Sequence, residues 1–136
     1  MKYYIILIIF GFLAFIIKTL NDAGEFKPIS PNFEGSCISI FGSVGAEDIT
    51  ILRNGLAIIS SDDRRKTLAG KPVQGAIFSY NLTADSPSLI NLTKELNIDF
   101  HPHGISVYEK GEGAFVMAVV NHSQKGHAIE IFEYGD

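Results

Sequence analysis

Seven short runs of β-branched and aromatic residues, separated by turn-forming segments, constrain the fold of this chain more than any other sequence feature. Such side chains favour strands because they pack well on a pleated surface. Between two of the runs, Asn54-Gly55 is a strong signal for a two-residue hairpin turn. The pattern predicts strands over residues 49–52, 56–60, 74–80, 88–92, 105–108, 115–121 and 128–134.

Many short strands with regular turns predict an all-β domain, built as a sandwich, a barrel or a propeller. The run from Phe115 to Val120 is apolar at both alternating sets of positions, which predicts an inner strand covered on both faces. The charged segment 62–72 is typical of a solvated turn, and no amphipathic helix of a soluble domain is predicted in the β-rich part.

The first twenty residues have a different character. A positive start at Lys2 is followed by uncharged residues from Tyr3 to Ile17, the layout of a secretory signal. This run is shorter than the ~20 residues of a spanning helix, and Asn21-Asp22-Ala23 is a poor cleavage site. The pattern favours an uncleaved signal or anchor over residues 1–20, hence a secreted or membrane-anchored protein. The alternative is a buried helix of a soluble protein.

After residue 20, the composition separates a linker from a β domain, and the charge argues against a nucleic-acid partner. Residues 21–36 are rich in Pro, Gly, Asn and Ser, which predicts a linker before a β domain over residues 37–136. The net charge is −4 without a basic block, so nucleic-acid binding is not expected. The one cysteine, Cys37, cannot close an internal disulfide. Three sequons make these asparagines candidate glycan acceptors in a secreted chain: Asn81, Asn91 and Asn121.

Two adjacent acids, Glu47 and Asp48, precede a predicted strand. If the backbone is extended there, their side chains point to opposite faces and can serve two separate cation sites. Calcium takes six to eight oxygen ligands, carboxylates among them. The alternative is an ordinary solvated pair of acids.

A second group of polar residues is Phe100-His101-Pro102-His103-Gly104, with His122 further along the chain. His103 comes before a predicted strand and His122 ends another, so both can lie at one end of a sheet. Imidazole titrates near neutral pH and can relay a proton. Two alternatives stay open: a zinc site, because His-x-His is half of a typical ligand set, and histidines that are satisfied within the core.

Several short motifs occur in the order and near the spacing of one known family. The chain resembles the serum paraoxonase/arylesterase family over roughly residues 37 to 134. The motifs that carry the resemblance are Gly45-Ala-Glu-Asp48, Ile51-Leu-Arg-Asn-Gly-Leu-Ala57, Ile59-Ser-Ser61, Pro102-His-Gly-Ile-Ser106 and Val119-Val-Asn-His122.

The resemblance implies a six-bladed β-propeller with two calcium ions in its central tunnel, preceded by a hydrophobic helix. Of that propeller, this chain would form about one and a half to two blades. Glu47 matches the carboxylate on the catalytic calcium. Asp48 and the backbone carbonyl of Ile105 match ligands of the structural calcium. Cys37 matches a cysteine paired with one near the family's C-terminus.

The resemblance also implies a hydrolase of aryl esters and lactones that acts on small molecules. His103 and His122 match a dyad in which His103 takes a proton from water and His122 assists. Residues 1–20 match a retained signal used for attachment to a membrane or lipoprotein surface. Family members are more than about twice as long, and most of their calcium ligands lie in later blades. The alternative is therefore a catalytically incomplete, anchored fragment or remnant with an interaction role only.

Overall fold

The computed structural model describes residues 2–30, 32–111 and 113–135. The chain divides into two units, Met1–Cys37 and Ile38–Asp136. Helix α1 (Lys2–Asp22) belongs to the first unit. The second unit contains β1 (Ala46–Ile51), β2 (Leu56–Ser61), α2 (Arg64–Leu68), β3 (Ala76–Asn81), β4 (Leu89–Asn91), β5 (Pro102–Gly111), β6 (Ala114–Ser123) and β7 (Gly126–Tyr134).

Helix α1 is longer than the apolar run that predicts it. Its 21 residues correspond to a length of about 32 Å, close to the ~30 Å hydrocarbon core of a bilayer. By length and composition alone it is able to cross a membrane, a test that a signal sequence also passes. Lys18 and Asp22 pair one turn apart and extend the helix beyond Ile17. The segment therefore fits a signal peptide or an anchor.

The second unit consists of two antiparallel sheets. The first contains four strands in the order β1-β2-β3-β4, and the other contains three in the order β5-β6-β7. Each sheet is a meander, in which every strand pairs with its neighbour in sequence. All seven predicted strands are present, and the predicted all-β class is confirmed. The architecture is compatible with part of a propeller, which is assembled from four-stranded sheets of this type.

The turn between β1 and β2 differs in length from the predicted two-residue hairpin. Leu52 pairs with Leu56 through a hydrogen bond from its N–H to the Leu56 carbonyl, so the loop holds three residues, 53–55. Gly55 donates its N–H to the Leu52 carbonyl and has a φ of +82°. A three-residue hairpin places its last residue in the left-handed region, which explains the glycine.

The polar segment after β2 contains a short helix that was not predicted. Asp63 caps α2 by accepting the Lys66 N–H at 3.2 Å. This hydrogen bond is the main reason that the pKa of Asp63 lies below its usual value of 3.8. The five-residue helix has no apolar stripe, so the sequence pattern gave no periodic signal for it.

The hydrophobic core lies between the two sheets. Ile58 and Ile77 contribute from the first sheet, and alternate residues of β6 contribute from the second. Burying each such side chain stabilises the fold by about 1.5–3 kcal/mol. β6 is the central strand of its sheet, but only one of its faces is fully buried and the other is partly buried, so the predicted full coverage of both faces is not observed. The fully buried cluster consists of Leu52, Ile58, Ile77, Phe100, Phe115, Met117 and Val119.

Candidate functional site

Two β-bulges meet where the sheets face each other, and they carry the polar residues singled out by the sequence. In β1, Glu47 and Asp48 together lie opposite the single residue Ser60 of β2. In β5, His103 and Gly104 together lie opposite Val120 of β6. A bulge redirects side chains and is common beside functional sites. Here the two bulges bring β1 and β5 into side-chain contact.

The bulge in β1 changes the expected orientation of the acidic pair. Regular extended backbone would send Glu47 and Asp48 to opposite faces. Instead both carboxylates contact β5, Glu47 at His103 and Asp48 at Ile105. The expectation of opposite faces is therefore wrong for these contacts, because the extra residue interrupts the alternation of the strand.

Asp48 connects the two sheets through its carboxylate. Its Oδ2 accepts the N–H of Ile105 at 2.8 Å, and its own N–H donates to Ser60 Oγ at 3.1 Å. β5 is an edge strand of its sheet, and the carboxylate provides a partner for this N–H. The contact is made by the N–H of Ile105, whereas the predicted metal ligand of that residue is its carbonyl.

Glu47 and His103 form the closest polar contact between the two bulges. Glu47 Oε1 lies 2.6 Å from His103 Nε2, and both side chains are about one-third exposed, at 34% and 35%. Arg64 of α2 places Nη1 3.5 Å from the same oxygen. His103 lies within β5 rather than before a strand, because β5 already begins at Pro102. Proline is tolerated at the first position of a strand.

His122 completes a row of polar side chains that starts at Glu47. Its ring centroid lies 5.0 Å from that of His103, with the two rings nearly perpendicular at 87°. The backbone N–H of His122 donates to the His101 carbonyl at 3.0 Å, which fixes this end of β6 against the start of β5. The two histidines therefore lie at one end of the same sheet.

The environment of His122 favours the neutral imidazole. Desolvation of the ring is the largest cause that lowers the pKa of His122 below its usual 6.5. Positive charge on His127, His103 and Arg64 lowers this pKa further, whereas Glu47 raises it. At neutral pH the ring is therefore available as a proton acceptor.

His101 lies in a buried network that the sequence analysis did not single out. The ring is 4% exposed, with Nδ1 3.0 Å from Asp62 Oδ1 and Nε2 3.1 Å from Asp99 Oδ1. His101 is thus a satisfied core histidine, one of the alternatives left open. The His-x-His zinc half-site is not formed, because His101 contacts these two acids whereas His103 contacts Glu47. In the sequence, the apolar neighbours Phe100 and Pro102 are the signal that could have indicated the burial of His101.

A small cavity of about 140 Å³ opens beside the two histidines of the row. It is smaller than the 300–1,000 Å³ typical of sites that enclose a small molecule. Its lining combines both exposed imidazoles with the buried network and with α2: Asp62, Arg64, Thr67, Leu68, His101, Pro102, His103 and His122.

The acidic side chains supply donors of the kind that calcium prefers, but few of them. Glu47 and Asp48 offer carboxylate oxygens, the hard ligands that suit calcium. Within residues 2–30, 32–111 and 113–135, no group of three or more His, Cys, Asp or Glu side chains is arranged to hold a metal ion. The donors fit the ion in kind and fall short of its six to eight oxygens in number.

The remaining predicted sites differ in their surroundings. Cys37 is an exposed free thiol in the first unit. Asn81 and Asn91 are exposed, and the carboxamide oxygen of each accepts the N–H of the threonine two residues later. Asn121 is only 2% exposed, and its amide nitrogen donates to the Asp99 carbonyl and to Glu130. A glycan on that nitrogen would replace one of its two hydrogens and break one of these hydrogen bonds, and the buried side chain leaves no room for it.

Comparison with known proteins gives consistent matches. The family model described as Arylesterase matches residues 27–136. Serum paraoxonase/arylesterase 2 of Gallus gallus is 36% identical over 85% of this chain and 33% of its own length. Serum paraoxonase/arylesterase 1 of Homo sapiens is 32% identical over 85% of this chain and 34% of its own length. Serum paraoxonase/lactonase 3 of Homo sapiens is 33% identical over 90% of this chain and 35% of its own length. The chain spans about a third of the length of these curated relatives.

Proposed function

Because the chain belongs to the arylesterase family, we propose that it carries the histidine dyad and two metal-binding carboxylates of a calcium-dependent hydrolase of aryl esters and lactones. The observation that supports this best is the contact row at the facing bulges. Glu47 lies 2.6 Å from His103, whose ring centroid is 5.0 Å from that of His122. These three side chains are the ones for which the family resemblance implies catalytic roles.

In the proposed mechanism, His103 is the general base. Because a carboxylate accepts hydrogen bonds, the ring donates its Nε2–H to Glu47, and the lone pair on Nδ1 is left to accept a proton. A water molecule beside Nδ1 loses its proton to the ring and attacks the ester carbonyl directly, without a covalent enzyme intermediate. Glu47 then faces the positive charge that develops on His103, as the acid of a catalytic triad does.

His122 assists by receiving the proton from the first ring. Its lowered pKa keeps the ring neutral near pH 7, so that it has a lone pair to offer. The nearly perpendicular rings lie close enough for a bridging water to pass the proton between them. His122 would in turn return the proton to the leaving group or to bulk solvent.

The proposed calcium ions would be held in part by Glu47, Asp48 and the backbone carbonyl of Ile105. When bound, calcium polarises the ester carbonyl and stabilises the oxyanion. One oxygen of each carboxylate is engaged, Glu47 Oε1 by His103 Nε2 and Asp48 Oδ2 by the Ile105 N–H. The second oxygen of each carboxylate would be available to a calcium ion. Two carboxylates and one carbonyl are too few for calcium, so further oxygens would have to come from other parts of the polypeptide or from water.

The complete fold is proposed to be a six-bladed propeller, to which this chain contributes about one and a half to two blades. The outer faces of both sheets support this, because they expose apolar side chains that neighbouring blades would cover. Ile49 and Ile51 of the first sheet are 56% and 60% exposed, and Ile129 and Ile131 of the second are 60% and 61% exposed. α1 is proposed as the retained signal that attaches the protein to a membrane or lipoprotein surface, and Cys37 as half of a disulfide.

A second function is favoured by the small number of metal ligands. Among the described residues, no three-ligand group is present. A chain with only these ligands would be a catalytically inactive, anchored protein with an interaction role. Its exposed sheet edges and faces could pair with another polypeptide.

Hydrolysis of phenyl acetate and of a lactone, with and without a calcium chelator, tests the main proposal. We expect activity that chelation abolishes and that His103→Gln lowers by about 10²- to 10⁴-fold. Lys125→Gln, which changes an exposed side chain in the turn between β6 and β7, serves as the control and should keep its activity. Activity that persists without calcium would refute the mechanism. An inactive chain that does not bind calcium would instead support the second function.

A further inference from the structure

The hairpin between β6 and β7 brings His127, which has no part in the proposed mechanism, against His122. His122 and His127 are directly opposite each other on these two antiparallel strands, one residue before and after the pair that closes the turn. Their Nδ1 atoms are 2.7 Å apart, and their ring centroids are 4.6 Å apart. We propose that His122 and His127 form a chelating site for a divalent transition-metal ion such as Cu²⁺ or Zn²⁺.

The strand register explains why the two rings converge. The N–H of His122 donates to His101 on the β5 side, so His122 and His127 do not exchange backbone hydrogen bonds. In an antiparallel ladder such pairs have the shorter Cα separation and the closer side chains. Ser123 Oγ donates to the Gly126 carbonyl at 2.8 Å and secures the turn beyond them. The fold therefore holds both imidazoles side by side without a metal.

The contact between the rings has the geometry that a metal ion can replace. Two nitrogens at 2.7 Å require that one carry the hydrogen and the other accept it. When the first ring moves its hydrogen from Nδ1 to Nε2, both lone pairs point into the space between the rings. Two nitrogens bound to one tetrahedral zinc at 2.0–2.1 Å are about 3.3 Å apart. The rings would need to separate by only about 0.6 Å, a change within the rotamer freedom of exposed side chains.

The chemistry of the pair selects the class of ion. Imidazole nitrogen suits copper, nickel and zinc, whereas calcium requires oxygen. Both side chains are exposed, so an ion can approach from solvent. No third protein ligand is arranged around them among the described residues, and water would occupy the other positions. This site differs in its ligands from the calcium sites proposed above.

Occupation of the pair has a consequence that rests on the proposed function. An ion held at Nδ1 fixes the His122 ring and removes that nitrogen from proton transfer. If His122 assists His103, then Cu²⁺ or Zn²⁺ inhibits hydrolysis while calcium sustains it. Binding of the ion itself is independent of catalysis and can be measured on an inactive chain.

Calorimetric titration of the full chain in detergent micelles tests the site. A Cys37→Ser background removes the exposed thiol as a competing ligand. We expect one equivalent of Cu²⁺ to bind more tightly than Zn²⁺, and Mn²⁺ to bind more weakly than either. His127→Asn should weaken Zn²⁺ binding by more than about tenfold, because even the loss of an outer-shell partner costs 10- to 100-fold. His127→Cys should retain binding, because a thiolate replaces the imidazole.

Side-chain NMR and activity separate the two proposals. Added Zn²⁺ should shift the ring signals of His122 and His127 and leave those of His101 in place. Glu47→Gln should abolish any calcium dependence without changing the affinity for Zn²⁺. Equal Zn²⁺ affinity in the wild type and in His127→Asn would overturn the proposed site, as would a loss of that affinity in Glu47→Gln. A chain that binds Zn²⁺ through the pair but hydrolyses no ester would refute the proposed function alone.

Discussion

His101 and His103 are separated by a single residue, yet the fold gives their imidazole rings opposite environments. His101 is buried between Asp62 and Asp99, with both ring nitrogens occupied by carboxylates. His103 is one-third exposed, and within the described residues only its Nε2 lies against a carboxylate. A ring whose two nitrogens are both engaged can hold the structure together, whereas chemistry needs a ring with a free nitrogen and access to solvent.

The difference between these two histidines arises at the start of β5. Pro102 begins the strand, and the bulge at 103–104 redirects the chain immediately afterwards. The His101 ring therefore points into the core near the end of β6. The backbone N–H of His101 also donates to Asn121 Oδ1 at 2.8 Å. His103 turns toward β1 and the exposed end of the sheets. The comparison predicts that His101 matters for stability and that His103 matters for reactivity.

The largest expected effect on stability is that of His101→Leu. Removing the imidazole leaves the 7%-exposed carboxylate of Asp62 without its partner in the core. Breaking a buried pair in this way costs on the order of 3–5 kcal/mol. Urea denaturation of the purified chain should show this loss in the free energy of unfolding, with the slope unchanged.

The matched control for that experiment is His103→Gln. Its pair with Glu47 is exposed, so the free energy of unfolding should change by less than about 1 kcal/mol. Equal losses in the two variants would contradict the distinction between a structural and a reactive histidine.

The strand pattern and the turn residues were enough to predict the fold class and the number of strands. A run that is apolar at both alternating sets of positions identified β6, although only the face that carries Phe115, Met117 and Val119 is fully buried. The bulges were not predicted, because a bulge adds a residue without interrupting the run of strand-forming side chains. For the same reason the sequence assigned Glu47 and Asp48 to opposite faces.

The sequence identified individual residues of the candidate site but not their arrangement in space. Glu47, Asp48, His103 and His122 were singled out from local motifs, and the family resemblance supplied their roles. Their mutual distances depend on contacts between residues up to 57 positions apart. The network around His101 joins Asp62 to a residue 39 positions later. Asp62 and Asp99, the two acids that contact His101, do not stand out in the sequence, because charged residues in turns are normally solvated. Which acid is buried is decided by the packing of the two sheets.

A smaller effect on stability is expected for Asp48→Ala, which removes the carboxylate that accepts the Ile105 N–H in the bulge. An unsatisfied, partly buried N–H costs on the order of 1–2 kcal/mol. Asp48→Asn keeps an acceptor of the same shape and should lose less than half as much. Hydrogen exchange of the Ile105 amide, measured by NMR, should accelerate in Asp48→Ala and change little in Asp48→Asn. Unchanged protection in Asp48→Ala would refute this role.

Glu47→Gln should affect stability still less. The Glu47 side chain is 34% exposed and pairs with His103 and with Arg64, which is 58% exposed. Exposed pairs contribute about 0–1 kcal/mol, so denaturation midpoints should be nearly unchanged. A loss of unfolding free energy as large as that of His101→Leu would show that Glu47 is as important for the fold as Asp62. The contrast between His101 and His103 would then disappear.

The smallest effect concerns the pH dependence associated with His122. Desolvation of the ring and the positive charge of His127 hold the pKa of His122 below the 6.5 of the unfolded chain. Between these two values the unfolded chain binds more protons, so stability from this group is fully present above pH 6.5 and decreases as the pH falls through the lowered pKa. NMR titration of the His122 ring in chelator-treated protein should give a midpoint below 6.5. His127→Asn should raise that midpoint only partway, because desolvation remains. A midpoint at or above 6.5 in the wild type would contradict the neutral His122 on which the proton relay depends.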